Sequence, residues 1–287
     1  MTMQYANVIS WNNVNYSGDA DHNPDDAFYT HQILAEGDSW FTFAGMPTSN
    51  LLFRMRFRGN TVIVSCAAPG DTIRHMAELA ANHDLRDAMS ASRGSAWDAI
   101  LLSGGGNDLI DAAKRIIRQS NNTIYPAPRD YCNQAVLQNT LDAIERGYRA
   151  IVALRDRSGS ACRGVPVIVH TYDWITPRDA AARVFGFPVS GPWLSKALGD
   201  RKVPASKWEK LSDYLMDLLA NLLLELESGP GKLPNFHVVD TRGTLTPAAV
   251  GDRYRSFDWL NEIHPTARGY QKLAAKLSAR VRRLLSV

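Results

Sequence analysis

The chain has 287 residues, 45% of them apolar and 21% charged, with a net charge of +3. That length is ample for a full hydrophobic core, and so small and scattered a positive charge excludes a strong electrostatic footprint for nucleic acid. Cys66, Cys132 and Cys162 show no Cys-x-x-Cys spacing, so they are expected as free thiols rather than a disulfide framework.

Residues 1–30 are polar, rich in Asn and Asp. They have neither the basic start nor the apolar run of a signal peptide, and no later segment reaches the roughly 20 apolar residues of a membrane helix. The expectation is a cytoplasmic protein without a membrane span, its first 30 residues a surface extension and 31–287 a single domain.

Within that domain five apolar runs have the length and β-branched content of strands: Gln32–Glu36, Thr61–Cys66, Ala99–Ser103, Pro166–His170 and Phe236–Asp240. Their apolarity is continuous rather than alternating, which predicts burial on both faces and hence a parallel sheet. Between and after the strands lie stripes of helical period. Ile73, Met76, Ala77 and Ala80 form the first. Leu211, Leu215, Leu218, Leu219, Leu222 and Leu226 form the second. Tyr270, Leu273, Ala274, Leu277, Val281 and Leu284 close the chain. Strands alternating with helices predict a three-layer α/β/α sandwich. Residues 171–206, with Tyr172, Trp174 and Trp193 among several Pro and Gly, are too long for a plain connection and are expected, with 40–58, to wall a pocket.

Three short polar motifs stand where apolar runs end or a helix begins: Gly37-Asp38-Ser39-Trp40, Gly105-Gly106-Asn107-Asp108 and His264-Pro265-Thr266. In an open parallel sheet, ligands bind beyond the carboxyl ends of the strands, so one edge can collect a hydroxyl, an amide and an imidazole. Those are the parts of an acyl-transfer site. A serine needs a base, and the neutral imidazole of His264 has its pKa near working pH. A tetrahedral oxyanion needs fixed donors, each worth about 3–4 kcal/mol of barrier. The backbone N–H groups of Ser39 and Gly70 and the side-chain amide of Asn107 are the candidates. Each motif also has a plain structural role: a turn at Gly-Asp-Ser, a helix N-cap at Asn107 or Asp108, another at Thr266. Specificity lies in their ordered combination.

On these blocks the chain resembles the SGNH (GDSL-type) hydrolase family, from residue 31 onward and in the family's order. The resemblance implies a flavodoxin-like five-stranded parallel sheet and esterase or lipase-like chemistry through an acyl-enzyme, without cofactor or metal. It implies Ser39 as nucleophile, Ser39, Gly70 and Asn107 as oxyanion donors, and His264 as base. The partner it implies is a small-molecule ester.

One position departs from that pattern. Where the family usually has an aspartate three residues before the histidine, this chain has Asn261, in Asp258-Trp-Leu-Asn261-Glu262-Ile-His264. Asn261 can orient His264 but brings no charge; Asp258 and Glu262 are the alternative supports. Three other functions compete. An α/β-hydrolase wants Gly-x-Ser-x-Gly, and Phe41 occupies the last glycine position. A metal-dependent phosphoesterase would use Asp38, Asn107, Asp108 and His264, with only one imidazole. A catalytically silent module for carbohydrate fits the uncharged Asn261 and the aromatic insertion.

Overall fold

The computed structural model describes residues 2–42, 49–78, 82–184 and 187–285. Ala80, the last member of the first helical stripe, lies outside them, as does 43–48 of the segment 40–58. In chain order the strands are β1 (Gln4–Tyr5), β2 (Asn7–Ser10), β3 (His31–Gly37), β4 (Arg56–Phe57), β5 (Thr61–Ser65), β6 (Ala99–Ser103), β7 (Val167–His170), β8 (Ala182–Val184), β9 (Phe187–Ser190) and β10 (Phe236–Val239). The helices are α1 (Ser39–Thr42), α2 (Ile73–Met76), α3 (His83–Ala88), α4 (Gly106–Ile116), α5 (Gln134–Asp156), α6 (Leu194–Asp200), α7 (Trp208–Ser228) and α8 (Ala267–Leu285).

A parallel sheet runs in the order β10-β7-β6-β3-β5-β2. Strands β3, β5, β6, β7 and β10 are the five expected apolar runs. Ile33, Leu34, Val62, Ile63, Val64, Ile100, Leu101, Leu102, Val167 and Val169 are fully buried, because helices cover both faces. A sixth strand, β2, comes from the polar N-terminal segment. Val8 and Ile9 pair with Ile63 and Val64 along the edge, and two apolar residues among polar ones give no strand signal of their own.

The order reverses at β3: the chain steps outward to β5, then crosses back over β3 to reach β6. That switch opens a crevice at the carboxyl ends of β3 and β6, the place where doubly wound sheets bind ligands. Helices α2, α4, α5, α6 and α7 pack on one another, while α8 packs on β4 and the turn over Leu52–Arg54. In α7 the buried stripe is Leu211, Leu215, Leu219, Leu223 and Leu226, with Leu218 and Leu222 half-buried beside it. Thr266 caps α8, its hydroxyl accepting the Gly269 N–H at 3.1 Å. At α4 the N-cap is neither Asn107 nor Asp108 but Gly105, whose φ of +94° only glycine adopts without strain and whose missing Cβ leaves room for Leu219.

Candidate active site

β3 delivers the serine. Gly37 ends the strand where a Cβ would fall 2.8 Å from that of Ser103, so β3 and β6 come together closely before the chain turns into α1. The turn is held by Asp38, whose buried carboxylate accepts the Trp40 N–H at 2.9 Å, the Ser103 hydroxyl at 2.9 Å and the Tyr172 hydroxyl. Burial pushes the Asp38 pKa up to about 6, against the lowering effect of the same hydrogen bonds. Ser39 follows at the first position of α1.

The long loop after β10 brings His264 to it. The Ser39 hydroxyl lies 2.8 Å from His264 Nε2. On the ring's other side, Asn261 Oδ1 lies 3.0 Å from Nδ1 and also accepts the backbone N–H groups of Ile263 at 3.0 Å and His264 at 2.8 Å. Those two backbone donors fix which end of the amide is oxygen. Nδ1 therefore carries the proton, and the Nε2 lone pair faces Ser39. Burial lowers the His264 pKa to about 3, so the imidazole rests neutral. Asn261 Nδ2 is buried, with no hydrogen-bond partner among the described residues.

Neither alternative carboxylate takes the Asn261 position. Asp258 is paired with Lys272 and accepts the Thr246 N–H at 2.8 Å. Glu262 turns toward the start of α6, where it accepts the backbone N–H groups of Trp193, Leu194 at 3.1 Å and Ser195 at 2.7 Å. A carboxylate at a helix N-terminus satisfies donors that have no partner within the helix. The insertion 171–206 thus clamps the histidine loop. Arg178, itself buried, donates to the carbonyls of Asn261 at 2.6 Å, Asp252 at 2.9 Å and Tyr254.

Asn107 opens α4 on the far side of the crevice, its Nδ2 donating to the Asp71 carbonyl at 2.9 Å. Gly70 precedes Asp71 in an exposed turn with φ +77°. The structure links Gly70 to Asn107 through that neighbour but does not place it among the residues lining the cavity beside Ser39. That cavity, of about 30 Å³, lies between Ser39, Trp40, Gly106, Asn107, Tyr172 and Met216, with Ile110, Ile175 and Ile263 also lining it. Phe41, beside Trp40 in sequence, turns away into the core. Among the described residues no three His, Cys, Asp or Glu side chains are placed to hold a metal ion. Asp108 is occupied by the Ile73 N–H at 2.9 Å.

Sequence reasoning missed Ser103, Arg178, Met216 and the three isoleucines of the cavity. A serine ending a strand and a lone arginine in a loop carry no motif, and the isoleucines look like any core residue. Tyr172 had a weak signal as an aromatic at the start of the insertion.

A profile of the GDSL-like Lipase/Acylhydrolase family matches residues 42–277. The chain belongs to that family, and hydrolysis of esters is the activity class this supports. The matched segment begins three residues beyond Ser39, so the serine's place rests on its own geometry. No curated protein sequence matches the chain. Among solved structures it is similar to the native aryl esterase of M. smegmatis, at 15% identity over 89% of this chain and 100% of that one, with a TM-score of 0.48. It is also similar to an extracellular lipase from Streptomyces rimosus, at 15% identity over 87% and 99%, with a TM-score of 0.45. Among the described residues, no helix is long and apolar enough to cross a membrane.

Proposed function

We propose that this protein hydrolyses carboxylic esters of small molecules through an acyl-enzyme on Ser39. The observation that carries this is the relay of Ser39 Oγ, 2.8 Å from His264 Nε2, with Nδ1 held by Asn261 in the tautomer that leaves Nε2 a base. As Ser39 Oγ attacks the ester carbonyl carbon, its proton passes to His264 Nε2 and the carbonyl π pair moves onto oxygen. The Ser39 backbone N–H and the Asn107 amide donate to that oxyanion. Asn107 has two N–H bonds, and the one not committed to Asp71 is assigned here. The family pattern implies Gly70 N–H as a third donor; since Gly70 is not among the cavity's lining residues, the reading rests on the first two. Collapse expels the alcohol oxygen, which takes the proton from Nε2. Water then attacks the acyl-Ser39 carbonyl, gives a proton to His264, and collapse releases the acid with the proton returned to Ser39 Oγ.

The cavity supports a short acyl group. Its small volume, about 30 Å³, and its isoleucine lining favour a short acyl group over a long chain. Hydrolysis of p-nitrophenyl acetate, butyrate and octanoate by wild type and Ser39→Ala, with and without EDTA, tests both statements. The expected result is chelator-resistant turnover that is fastest on acetate and vanishes in Ser39→Ala. Turnover that survives in Ser39→Ala would overturn the serine mechanism. A folded protein with no turnover and no labelling of Ser39 by a phosphonate would point instead to a silent binding module.

A further inference from the structure

Tyr172 touches both walls of the crevice. Its hydroxyl donates to Asp38 Oδ2 and is the one donor to that oxygen among the described residues, whereas the Trp40 N–H and the Ser103 hydroxyl both donate to Oδ1. Its ring packs on the opposite wall. A Cβ at Gly106 would fall 3.1 Å from the ring's Cζ and 3.3 and 3.5 Å from the two carbons beside it, so the ring lies on bare backbone at the first residue of α4. Asp38 directly precedes Ser39, and Gly106 directly precedes Asn107. One side chain therefore meets the neighbour of the nucleophile and the neighbour of the oxyanion amide.

The backbone beneath that ring is strained and firmly held. Tyr172 has φ +60°, a left-handed conformation that aromatic residues rarely adopt, and such strain persists only where the surroundings over-determine it. The Tyr172 N–H donates to His170 Nδ1 at 3.2 Å, and its carbonyl accepts the Thr241 hydroxyl at 2.7 Å. The next carboxylate, Asp173, accepts the N–H groups of Trp174 at 2.8 Å, Gly243 at 2.7 Å, Thr244 at 2.9 Å and Leu245 at 2.7 Å. The ring meets Trp40 and His170 at steep angles, with centroids 4.9 and 4.7 Å away. An oxyanion donor works only within hydrogen-bond reach of the place where the charge develops, and a misplacement of about 1 Å is costly.

We propose that Tyr172 is a wedge that sets the register between Ser39 and Asn107, so that the amide meets the oxyanion formed when Ser39 Oγ attacks. Tyr172 acts on the reaction through Asp38 and Gly106, which makes it a positioning residue. The proposal rests on the serine-ester mechanism.

The test is a double-mutant cycle between Tyr172 and Asn107, read as kcat and KM on p-nitrophenyl acetate, with denaturant melts to select folded variants. Tyr172→Phe keeps the ring and removes the bond to Asp38; kcat is expected to fall about tenfold with KM unchanged. Asn107→Ala is expected to cost about 100-fold in wild type but only about tenfold in Tyr172→Phe, because a donor already out of register has less to lose. Losses that multiply, to about 1000-fold in the double variant, would show that the two residues act independently and overturn the proposal. A kcat for Tyr172→Phe within about twofold of wild type would overturn it too. Gly106→Ala supplies a second arm, since its methyl presses on the ring from the α4 side. The cost of Asn107→Ala should shrink in that background as well, and an undiminished cost there counts against the wedge. The two failures are separable. Absence of Ser39-dependent turnover in wild type removes the ester mechanism itself, whereas Ser39-dependent turnover with independent losses removes only the role of Tyr172.

Discussion

Two serine–histidine pairs sit at the same edge of this sheet, and their difference lies in one proton. Ser39 and His264 meet at 2.8 Å; Ser103 and His170 meet at 3.0 Å, one strand further in. Both imidazoles are buried and held neutral, with pKa values lowered to about 3 by burial. At His170, Nδ1 accepts the Tyr172 backbone N–H at 3.2 Å, so the proton must be on Nε2, which donates to Ser103. Ser103 in turn donates to Asp38, and that chain ends by bracing the turn that carries Ser39. At His264 the Nδ1 neighbour is an acceptor, so Nε2 is a lone pair. A histidine that donates to serine cannot take the serine's proton, whatever its distance. Proximity alone would nominate two candidate sites; the far-side partner of each ring separates them.

A graded set of changes puts the distinction between the pairs at risk. Ser39→Ala should lower kcat/KM for p-nitrophenyl acetate by at least about 10⁴-fold, whereas Ser103→Ala should lower it less than about tenfold, since it only loosens Asp38. Equal losses in the two variants would erase the distinction. His170→Asn is expected to cost about 1–3 kcal/mol of unfolding free energy, read from denaturant melts, because it leaves the Tyr172 N–H or the Ser103 hydroxyl without its partner. The Ser39-dependent activity should survive in the folded variant. His264→Asn should show the reverse, with activity gone.

The two rings also predict how the protein meets acid. Each is neutral when folded down to about pH 3, yet takes a proton near pH 6.5 when unfolded. For these two groups the unfolded state binds more protons between those values, so their contribution to stability falls as pH drops below about 6.5, while the buried carboxyls of Asp38 and Glu36, raised to about 6 and about 8, contribute with the opposite sign. The difference in melting temperature between wild type and His170→Asn, measured from pH 7 to pH 4, isolates the histidine contribution and should shrink toward acid pH. Ester turnover should persist at pH 5 in the folded enzyme, because Nε2 of His264 is still unprotonated there. An acid limb centred near 6.5 would count against the lowered value. The smallest effect is expected from Asn261→Asp, a gain in kcat of about threefold in wild type, since the carboxylate strengthens an orientation that the amide oxygen already provides, while its second oxygen enters the buried place where Nδ2 finds no partner among the described residues and so limits the gain.

How much of this is legible in the amino-acid sequence follows from where the relevant forces act. The five core strands can be read because burial on both faces of a parallel sheet demands unbroken apolar runs, and the stripes of α7 and α8 because a helix repeats its buried face every 3.6 residues. β2 cannot, since an edge strand needs only one neighbour to supply its hydrogen bonds, and Val8 and Ile9 make too short a pattern. Ser39, Asn107 and His264 can be nominated because strand ends face a common edge and because hydroxyl, amide and imidazole are chemically rare in combination. Which carboxylates remain available is a matter of packing. Asp258, Asn261 and Glu262 lie within five residues of one another, and only the folded loop sends the first to Lys272, the second to Nδ1 and the third to the start of α6. The layers and the set of candidate groups are thus written in the sequence, because periodicity and chain order are local properties. The tautomer of each histidine, the clamp from Arg178 and the place of Tyr172 between Asp38 and Gly106 belong to the tertiary fold, because each depends on which atoms, far apart in the chain, face one another at close range.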